Sequence, residues 1–102
     1  MKIEFLPEAK IEIDDAVSFY NLQVTGLGDI FKDVIKSTVK RIASFPTAWT
    51  EVQPNIRRCI MHKFPYSVLY TVEKEFVLIV AVAHHHRKPS YWSSRETKKK
   101  SE

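Results

Sequence analysis

A run of eight consecutive apolar residues, Phe76–Ala83, constrains the fold of this chain more than any other feature. The run is far shorter than the roughly 20 residues that span a bilayer. A strand with one solvated face would alternate apolar with polar side chains. The run therefore predicts the innermost strand of a sheet, covered on both faces. It stops abruptly at residues 84–88, three histidines followed by an arginine and a lysine, so the same strand delivers polar groups to one edge of the fold.

The size and composition indicate one globular domain in the cytoplasm. A chain of 102 residues, 44% of them hydrophobic, suits a single domain with a modest core, which we expect over residues 1–96. Residues 97–102 are polar and rich in lysine, which predicts a disordered basic tail. Glu4 interrupts the N-terminal apolar stretch that a signal peptide needs. The single cysteine, Cys59, cannot form an internal disulfide and lies among apolar neighbours, which favours a buried thiol in a reducing compartment.

The charge is divided unevenly between the two halves of the chain. Residues 1–55 carry 6 Lys/Arg against 8 Asp/Glu, whereas residues 56–102 carry 10 Lys/Arg against 4 Asp/Glu. Removing the three lysines at 98–100 still leaves the second half positive. This asymmetry predicts that the second half faces an anionic partner.

Two segments with helical spacing predict a hairpin of antiparallel helices near the N-terminus. The first begins at Pro7-Glu8, a pair suited to a first helical turn, and ends over residues 21–25. The second runs from Leu27 to Ser44, and its apolar residues follow the i, i+3, i+4, i+7 rule. Gly26 and Gly28 fall in the short connection, which favours a tight turn.

The remaining segments predict a sheet. Lys2–Leu6 is typical of an edge strand, and strands are expected over Ile56–Lys63, Ser67–Glu73 and Phe76–Ala83, joined by short connections as an antiparallel meander. Thr47–Asn55 is expected to be irregular, with Trp49 as an anchor. The predicted fold class is α+β, a two-layer β-α-α-β-β-β arrangement with the N-terminal helical hairpin packed on one face of an antiparallel sheet.

Side-chain alternation along the strands suggests a basic surface on the other face. Arg57 and Arg58 are adjacent, so they point to opposite faces, and His84 and His86 share the face that His85 opposes. We expect one of the two arginines, with His62, Tyr70 and the segment 84–92, to form a concave basic surface. The other arginine then pairs with an acid of the first helix, such as Glu12 or Asp15.

Imidazole, guanidinium, ammonium, phenol and indole groups together suit a polyanion, through charge, stacking and proton transfer. A zinc site needs three or four converging ligands. Only His84 and His86 can converge, and no cysteine or acid lies near them in the sequence, so neither a metal nor another cofactor is predicted. Tyr91 and Trp92 have a second interpretation, as anchors of the C-terminal segment on the sheet.

The order of these segments resembles the RelE/ParE toxin superfamily over about residues 2–95, and most closely its ParE-like, or plasmid-stabilisation, branch. The residues that carry the resemblance are Leu27-Gly28, Ile42 with Phe45-Pro46, Arg57-Arg58, the segment 64–70 (FPYSVLY) and the segment 81–92 (AVAHHHRKPSYW). The resemblance implies a bacterial toxin of a type II toxin–antitoxin system, held inactive in a hetero-oligomer by a cognate antitoxin. It implies no membrane association.

Two targets are compatible with this resemblance. ParE-like members poison DNA gyrase without chemistry of their own, whereas RelE-like members cut messenger RNA on the ribosome without a metal. The RelE pattern supplies lysines on the middle strands, where this chain has Arg57-Arg58, so a gyrase inhibitor is favoured and an mRNA endonuclease is the alternative.

Three groups of residues carry these expectations. If the protein is a nuclease, the catalytic residues are Arg58, His84, His86, Arg87 and Tyr91. The residues expected to bind nucleic acid or another target are Arg57, Arg58, His62, Lys63, Arg87, Lys88 and Trp92. Ile11 and Phe19 lie off the apolar stripe of the first helix, and we expect them to bind the antitoxin.

Overall fold

The computed structural model describes residues 1–95, and the predicted tail over 97–102 lies outside them. The elements are β1 (Lys2–Phe5), α1 (Pro7–Gln23), α2 (Leu27–Ser44), β2 (Glu51–Gln53), β3 (Ile56–Ile60), β4 (Tyr66–Val72) and β5 (Phe76–His84). The predicted helical hairpin is confirmed. Within residues 1–95, no helix is both long and apolar enough to cross a membrane.

The strands form one five-stranded sheet in the order β1-β5-β4-β3-β2. The pairs β2–β3, β3–β4 and β4–β5 are antiparallel, which confirms the meander. β1 instead pairs parallel to β5, with Ile3 opposite Val77, so the sheet is mixed rather than antiparallel. The helical hairpin between β1 and the meander returns the chain to the end of the sheet at which β1 begins. β5 can therefore run in the same direction as β1.

The β5 strand is buried on both faces, as the apolar run predicts. Val77, Ile79 and Val82 pack with the helices, while Leu78 and Val80 belong to a second cluster on the opposite face of the sheet. The β4–β5 ladder shifts register between Leu69 and Tyr70, where β5 carries one extra residue. This bulge changes which side chains of β5 face the helices beyond it, so that His84 ends on the helix side, opposite Tyr66.

A close approach between the helices explains one of the two glycines. Any side chain at Gly28 would collide with the backbone oxygen of Val17, so the helices can approach this closely only at a glycine. The Gly28 N–H also donates to Asn21 Oδ1 at 2.8 Å, which caps the start of α2 with a side chain of α1. Gly26 adopts a left-handed conformation with φ 87° immediately before α2.

Two segments differ from the sequence-based expectation by more than one residue at an end. Thr47–Asn55 is not wholly irregular, because Glu51–Gln53 forms the short edge strand β2 with a register shift. The expected strand Ile56–Lys63 ends at Ile60. β2 has only three residues, too few for an alternating pattern to show, and it forms by pairing with β3, which begins three positions after it ends. Trp49 does pack against the core, as predicted.

The core on the helix side contains tyrosines whose hydroxyl groups ionise less readily than in water. Burial raises the pKa of Tyr66 to about 12, and Tyr20 adds to the effect. Burial raises the pKa of Tyr70 to about 12 as well, against the opposing charge of Arg57. The Tyr70 hydroxyl donates to the backbone oxygen of Pro46 at 2.7 Å, so the neutral form is the one that the fold uses.

We therefore expect the protein to lose stability in alkali. Between about pH 10 and 12 these tyrosines are ionised in the unfolded chain and neutral in the folded one, so the unfolded state binds fewer protons and unfolding is favoured as pH rises. Each such tyrosine lowers the free energy of unfolding by about 1.4 kcal/mol per pH unit in this window. Urea denaturation at pH 8, 10 and 11 measures the slope, and Tyr70→Phe should reduce it. An unchanged slope in that variant would contradict the assignment.

Candidate functional site

The polar segment after β5 divides its side chains between the two faces of the sheet. The rings of His84 and His86 lie 4.9 Å apart on the helix side, and His84 also packs edge-on against Tyr66. His85 turns to the open face, where its Nε2 lies 2.9 Å from Ser67 Oγ. This arrangement agrees with the alternation expected from the sequence.

On the helix side, Glu12 of α1 gathers four donors. Its Oε1 accepts the backbone N–H of Val82 at 2.9 Å, and its Oε2 accepts the Tyr91 hydroxyl at 2.6 Å. Arg95 donates from both guanidinium nitrogens, each at 3.0 Å. We call Glu12, Tyr91 and Arg95 the Glu12 cluster. The Glu12 and Arg95 side chains are only 14% and 16% exposed, so this is an ion pair largely withdrawn from water.

The position of the Glu12 cluster follows from the short length of β1. β1 pairs with β5 only as far as Ile79, so the part of β5 beyond it has no strand on that side. The Val82 N–H and the Val80 carbonyl would be left without partners there. Glu12 accepts the first, and Arg95 donates to the second at 3.2 Å. The cluster therefore completes the hydrogen bonding of a buried strand edge.

The Glu12 cluster determines the state of Tyr91. Burial raises the pKa of its hydroxyl group well above the ordinary value, and the hydrogen bond to Glu12 raises it further. The guanidinium of Arg87 lies 3.9 Å from the centre of the Tyr91 ring, a cation–π contact. Burial lowers the pKa of Arg95, but the hydrogen bonds and charge of Glu12 outweigh this and raise it. Tyr91 thus anchors the C-terminal segment, as its second interpretation holds.

The proton-transfer capacity of His84 is also constrained. Its Nδ1 accepts the backbone N–H of His86 at 3.0 Å, so that nitrogen is unprotonated. Burial lowers the pKa of His84, and the neighbouring His86 and His85 lower it further. His84 is therefore a neutral ring near pH 7, fixed in orientation by the backbone that follows it.

The open face of the sheet carries a pocket of about 460 Å³, which we call the open-face pocket. Its floor is formed mainly by Ile60, Leu69, Ala83 and Trp92. Its polar lining includes Gln53, Arg58, Ser67, His85, Arg87 and Lys88. Within residues 1–95, no acidic side chain lines it, so the pocket carries an uncompensated positive charge and suits an anionic group of a ligand.

The loop that closes the open-face pocket is held by β2. The Gln53 amide bonds the hydroxyl groups of Ser90 and Ser93 at 2.8 and 3.0 Å. Ser90 adopts φ 69°, a left-handed conformation that is uncommon for a residue with a side chain. Trp92 is 6% exposed and packs under the loop. The Gln53 contacts thus fix the backbone that carries Arg87 and Lys88.

The structure corrects three expectations about the basic surface. His62, expected on it, is exposed in the β3–β4 turn, outside the lining of the open-face pocket. Neither Arg57 nor Arg58 pairs with an acid of α1, because Glu12 is taken by Arg95. Arg57 instead donates to the backbone oxygen of Trp49 at 2.6 Å and lies 3.8 Å from Glu51. Tyr70 does not join the surface either, since it is fully buried on the helix side. Tyr70 lies directly opposite Arg57 in the β3–β4 ladder, so the two side chains share one face of the sheet, and this face is the helix side.

The expected target-binding residues therefore fall into three places. Arg58, Arg87, Lys88 and Trp92 line the open-face pocket. Arg57 braces the loop before β2, on the helix side. His62 and Lys63 are exposed in the β3–β4 turn, outside the lining of that pocket. Their binding roles stay predictions.

The residues of the nuclease hypothesis are divided in the same way. Arg58 lies on the open face, whereas the Tyr91 hydroxyl and His84 are engaged on the helix side. His84, Arg87 and Tyr91 each line both the open-face pocket and the outer surface of α1. A catalytic role for any of them stays a prediction, and a role for the Tyr91 hydroxyl would require it to leave Glu12.

The outer side of α1 forms a groove with the end of β5. Its volume is about 350 Å³, and its lining includes Asp15, Ala16, Phe19, Tyr66 and His84. Two expected antitoxin-binding residues are exposed as predicted, Ile11 by 58% and Phe19 by 53%. Leu22, one helical turn beyond Phe19, is 86% exposed, so the α1 surface carries an apolar stripe facing solvent.

Sequence reasoning missed Glu12 as the centre of a cluster, and with it Arg95, Gln53 and Ser67. A signal existed for Glu12, because it lies one residue before Ile13 on the buried side of α1, where a charge requires a partner. Nothing in the sequence indicated that the partner would be Arg95, 83 positions away. Within the part of the chain that the structure describes, no three histidine, cysteine or acidic side chains converge as metal ligands would.

Comparison with known proteins assigns the chain to a family. The family described as "ParE toxin of type II toxin-antitoxin system, parDE" matches residues 3–89. The structure is similar to a solved one described as "Chromosomal ParDE TA system from P. aeruginosa", with a TM-score of 0.73 at 16% identity, covering 82% of this chain and 95% of that chain. No curated protein matches the chain. The family match covers most of the sequence, and the chain therefore belongs to the ParE toxin family of type II toxin–antitoxin systems.

Proposed function

We propose that this ParE-family toxin acts in the cytoplasm by binding and inhibiting DNA gyrase, and that a cognate antitoxin neutralises it. Membership of the ParE family carries this proposal. The geometry adds support, because two of the groups expected to transfer protons in a nuclease serve the fold: the Tyr91 hydroxyl is bound to Glu12, and the Nδ1 of His84 accepts the backbone N–H of His86. Cleaving RNA would need such groups free to take and give a proton.

The open-face pocket is the proposed target-binding surface. Arg58, Arg87 and Lys88 border an apolar floor, a combination that suits an acidic side chain seated beside apolar ones on the target. Arginine is frequent at the centres of such interfaces, because its planar guanidinium binds a carboxylate through two parallel hydrogen bonds.

A pulse of expression in bacteria tests the proposed target. Gyrase inhibition predicts growth arrest with filamentation and induction of the DNA-damage response, while messenger RNAs stay intact. Mapping new RNA 5′ ends across the genome after the pulse provides the discriminating measurement. Fresh cuts within translated codons would contradict the proposal and establish the mRNA endonuclease instead.

The antitoxin is proposed to dock on the groove beside α1. Phe19 lines this groove, Leu22 is exposed one turn beyond it and Ile11 about two turns before it, so a helix with apolar side chains can contact this side of α1. We expect Phe19→Asp to weaken antitoxin binding by about tenfold or more while the toxin still arrests growth. Co-purification with the product of the neighbouring antitoxin gene measures binding.

The matched control for Phe19→Asp is Phe45→Asp. Phe45 is 65% exposed at the C-terminal end of α2, away from the groove. Phe45→Asp therefore makes the same chemical change at another place on the surface. If Phe45→Asp loses the antitoxin and Phe19→Asp keeps it, the docking surface is wrongly placed.

A further inference from the structure

A third cavity lies away from the open-face pocket and the α1 groove, between β1 and α2. Its volume is about 500 Å³. It is lined by Ile3, Phe5, Ile35, Lys36, Val39, Lys40 and Ala43. We call it the β1–α2 groove. Its surface is carbon apart from the two lysines, and both lysine side chains are exposed. Such a groove offers an apolar slot with a cationic rim.

The strand that borders this groove has an unpaired edge. β1 is the outermost strand of the described sheet, paired with β5 on one side only. The Leu6 N–H donates to the Ile79 oxygen at 3.0 Å, so the backbone groups of Leu6 point toward β5. Backbone direction repeats every two residues along a strand, so the backbone groups of Glu4 also point toward β5. By alternation, the backbone groups of Ile3 and Phe5 point away from the sheet. An edge of this kind is a template for a further strand.

The charges around the groove determine which occupant fits. Lys36 and Lys40 stand on the rim, and Glu4, the acid of β1, is already paired with Lys2 at 3.6 Å. A second copy of the chain, paired through β1, would bring these lysines close to their own counterparts. Like charges placed this way repel, whereas acidic side chains would be attracted.

We propose that the β1–α2 groove binds an extended acidic segment of a partner protein as a sixth strand of the sheet. Hydrogen bonds from Ile3 and Phe5 fix its backbone, and apolar side chains at alternate positions enter the groove against Val39. Acidic side chains around them meet Lys36 and Lys40 at the rim. This is strand addition, in which the main chain gives affinity and side-chain pockets give specificity. The proposal does not depend on the gyrase target or on the α1 groove.

A synthetic peptide tests this surface directly. The probe is a blocked seven-residue peptide of alternating glutamate and valine, titrated into the full-length isotope-labelled protein and followed by backbone amide NMR shifts. We expect shifts confined to β1 and the facing side of α2. In Lys36→Glu/Lys40→Glu, binding should weaken by about tenfold or more, and a peptide of alternating lysine and valine should bind instead. Lys10→Glu/Lys74→Glu makes the same change in net charge at two exposed positions outside the lining of the groove and should bind as the wild type does.

Each other result would overturn the proposal. An absence of shifts at millimolar peptide, or shifts centred on the open-face pocket, would exclude strand addition at β1. Equal binding of the two peptides by the wild type would exclude a preference for acidic partners. A concentration-dependent dimer in sedimentation without peptide, lost in Ile3→Glu, would assign the edge to a second copy of this chain.

Discussion

Glu12→Gln is expected to lower the free energy of unfolding by about 3 kcal/mol, the cost of removing one partner from a buried ion pair. The variant keeps the shape of the side chain but loses the charge that Arg95 and Tyr91 contact. Its amide nitrogen would also face the guanidinium of Arg95, donor against donor. Urea denaturation with Trp92 fluorescence measures the loss, because Trp92 is buried within the segment that the Glu12 cluster holds.

Two further variants separate the cluster from a general effect of charge. Asp14→Asn removes an exposed charge from the same helix and should change stability by no more than about 0.5 kcal/mol. Glu12→Leu/Arg95→Met removes both partners and should cost less than the sum of the two single changes, because no charge is left buried alone. A loss below about 1 kcal/mol in Glu12→Gln would show that Arg95 does not depend on Glu12 for its position.

Arg58→Glu is expected to abolish toxicity without unfolding the protein. Arg58 is exposed on β3, it lines the open-face pocket, and its neighbours there include Arg87 and Lys88 but no acid among the described residues. Reversing this charge places a carboxylate where the target is expected to present one. A close charge pair at an interface is worth about 2 to 5 kcal/mol when one partner is removed, so inhibition should weaken by about a hundredfold.

The control for Arg58→Glu is Lys10→Glu, which makes the same kind of charge reversal on the exposed side of α1. Both variants should unfold within about 0.5 kcal/mol of the wild type, since neither residue is buried. Growth after induction gives the first readout, and the concentration needed to inhibit purified gyrase gives the second. If Arg58→Glu remains as toxic as Lys10→Glu, the open-face pocket does not bind the target.

The layers and the central strand were predictable because their signals are local. A strand of eight consecutive apolar residues is favourable only where both of its faces are buried, and β5 has such a position. The α2 stripe has a regular helical period, and Phe31, Ile35 and Ile42 are buried as that period requires. These features depend on neighbouring residues and not on distant ones.

The features that the sequence did not predict depend on distant pairs. β1 runs parallel to β5, near the other end of the chain, because of where the hairpin returns the chain. β2 is the exception, since it pairs locally with β3 and its three residues are too few for a pattern to show. The bulge at Leu69 and Tyr70 moves His84 to the helix side, which no alternation rule anticipates. The Glu12 cluster joins the two ends of the chain, so the roles of Tyr91 and Arg95 become clear only once the fold brings them to α1.

The division of polar groups between the two faces has a functional consequence. Cations line the open-face pocket with no acid among the described residues, and His85 lies there beside Ser67. The Tyr91 hydroxyl and the Nδ1 of His84 are instead held in hydrogen bonds by the fold. A surface of this kind suits an anionic partner. This separation underlies the proposal of a binding inhibitor.

The most direct measurement is the supercoiling of relaxed plasmid by purified DNA gyrase, with the toxin titrated in and Arg58→Glu as the inactive control. We expect the wild type to block supercoiling and Arg58→Glu to need about a hundred times more protein for the same effect. The cognate antitoxin, added first, should prevent the block. Undiminished supercoiling at a large excess of folded toxin would contradict the account, and the open-face pocket would then require another target.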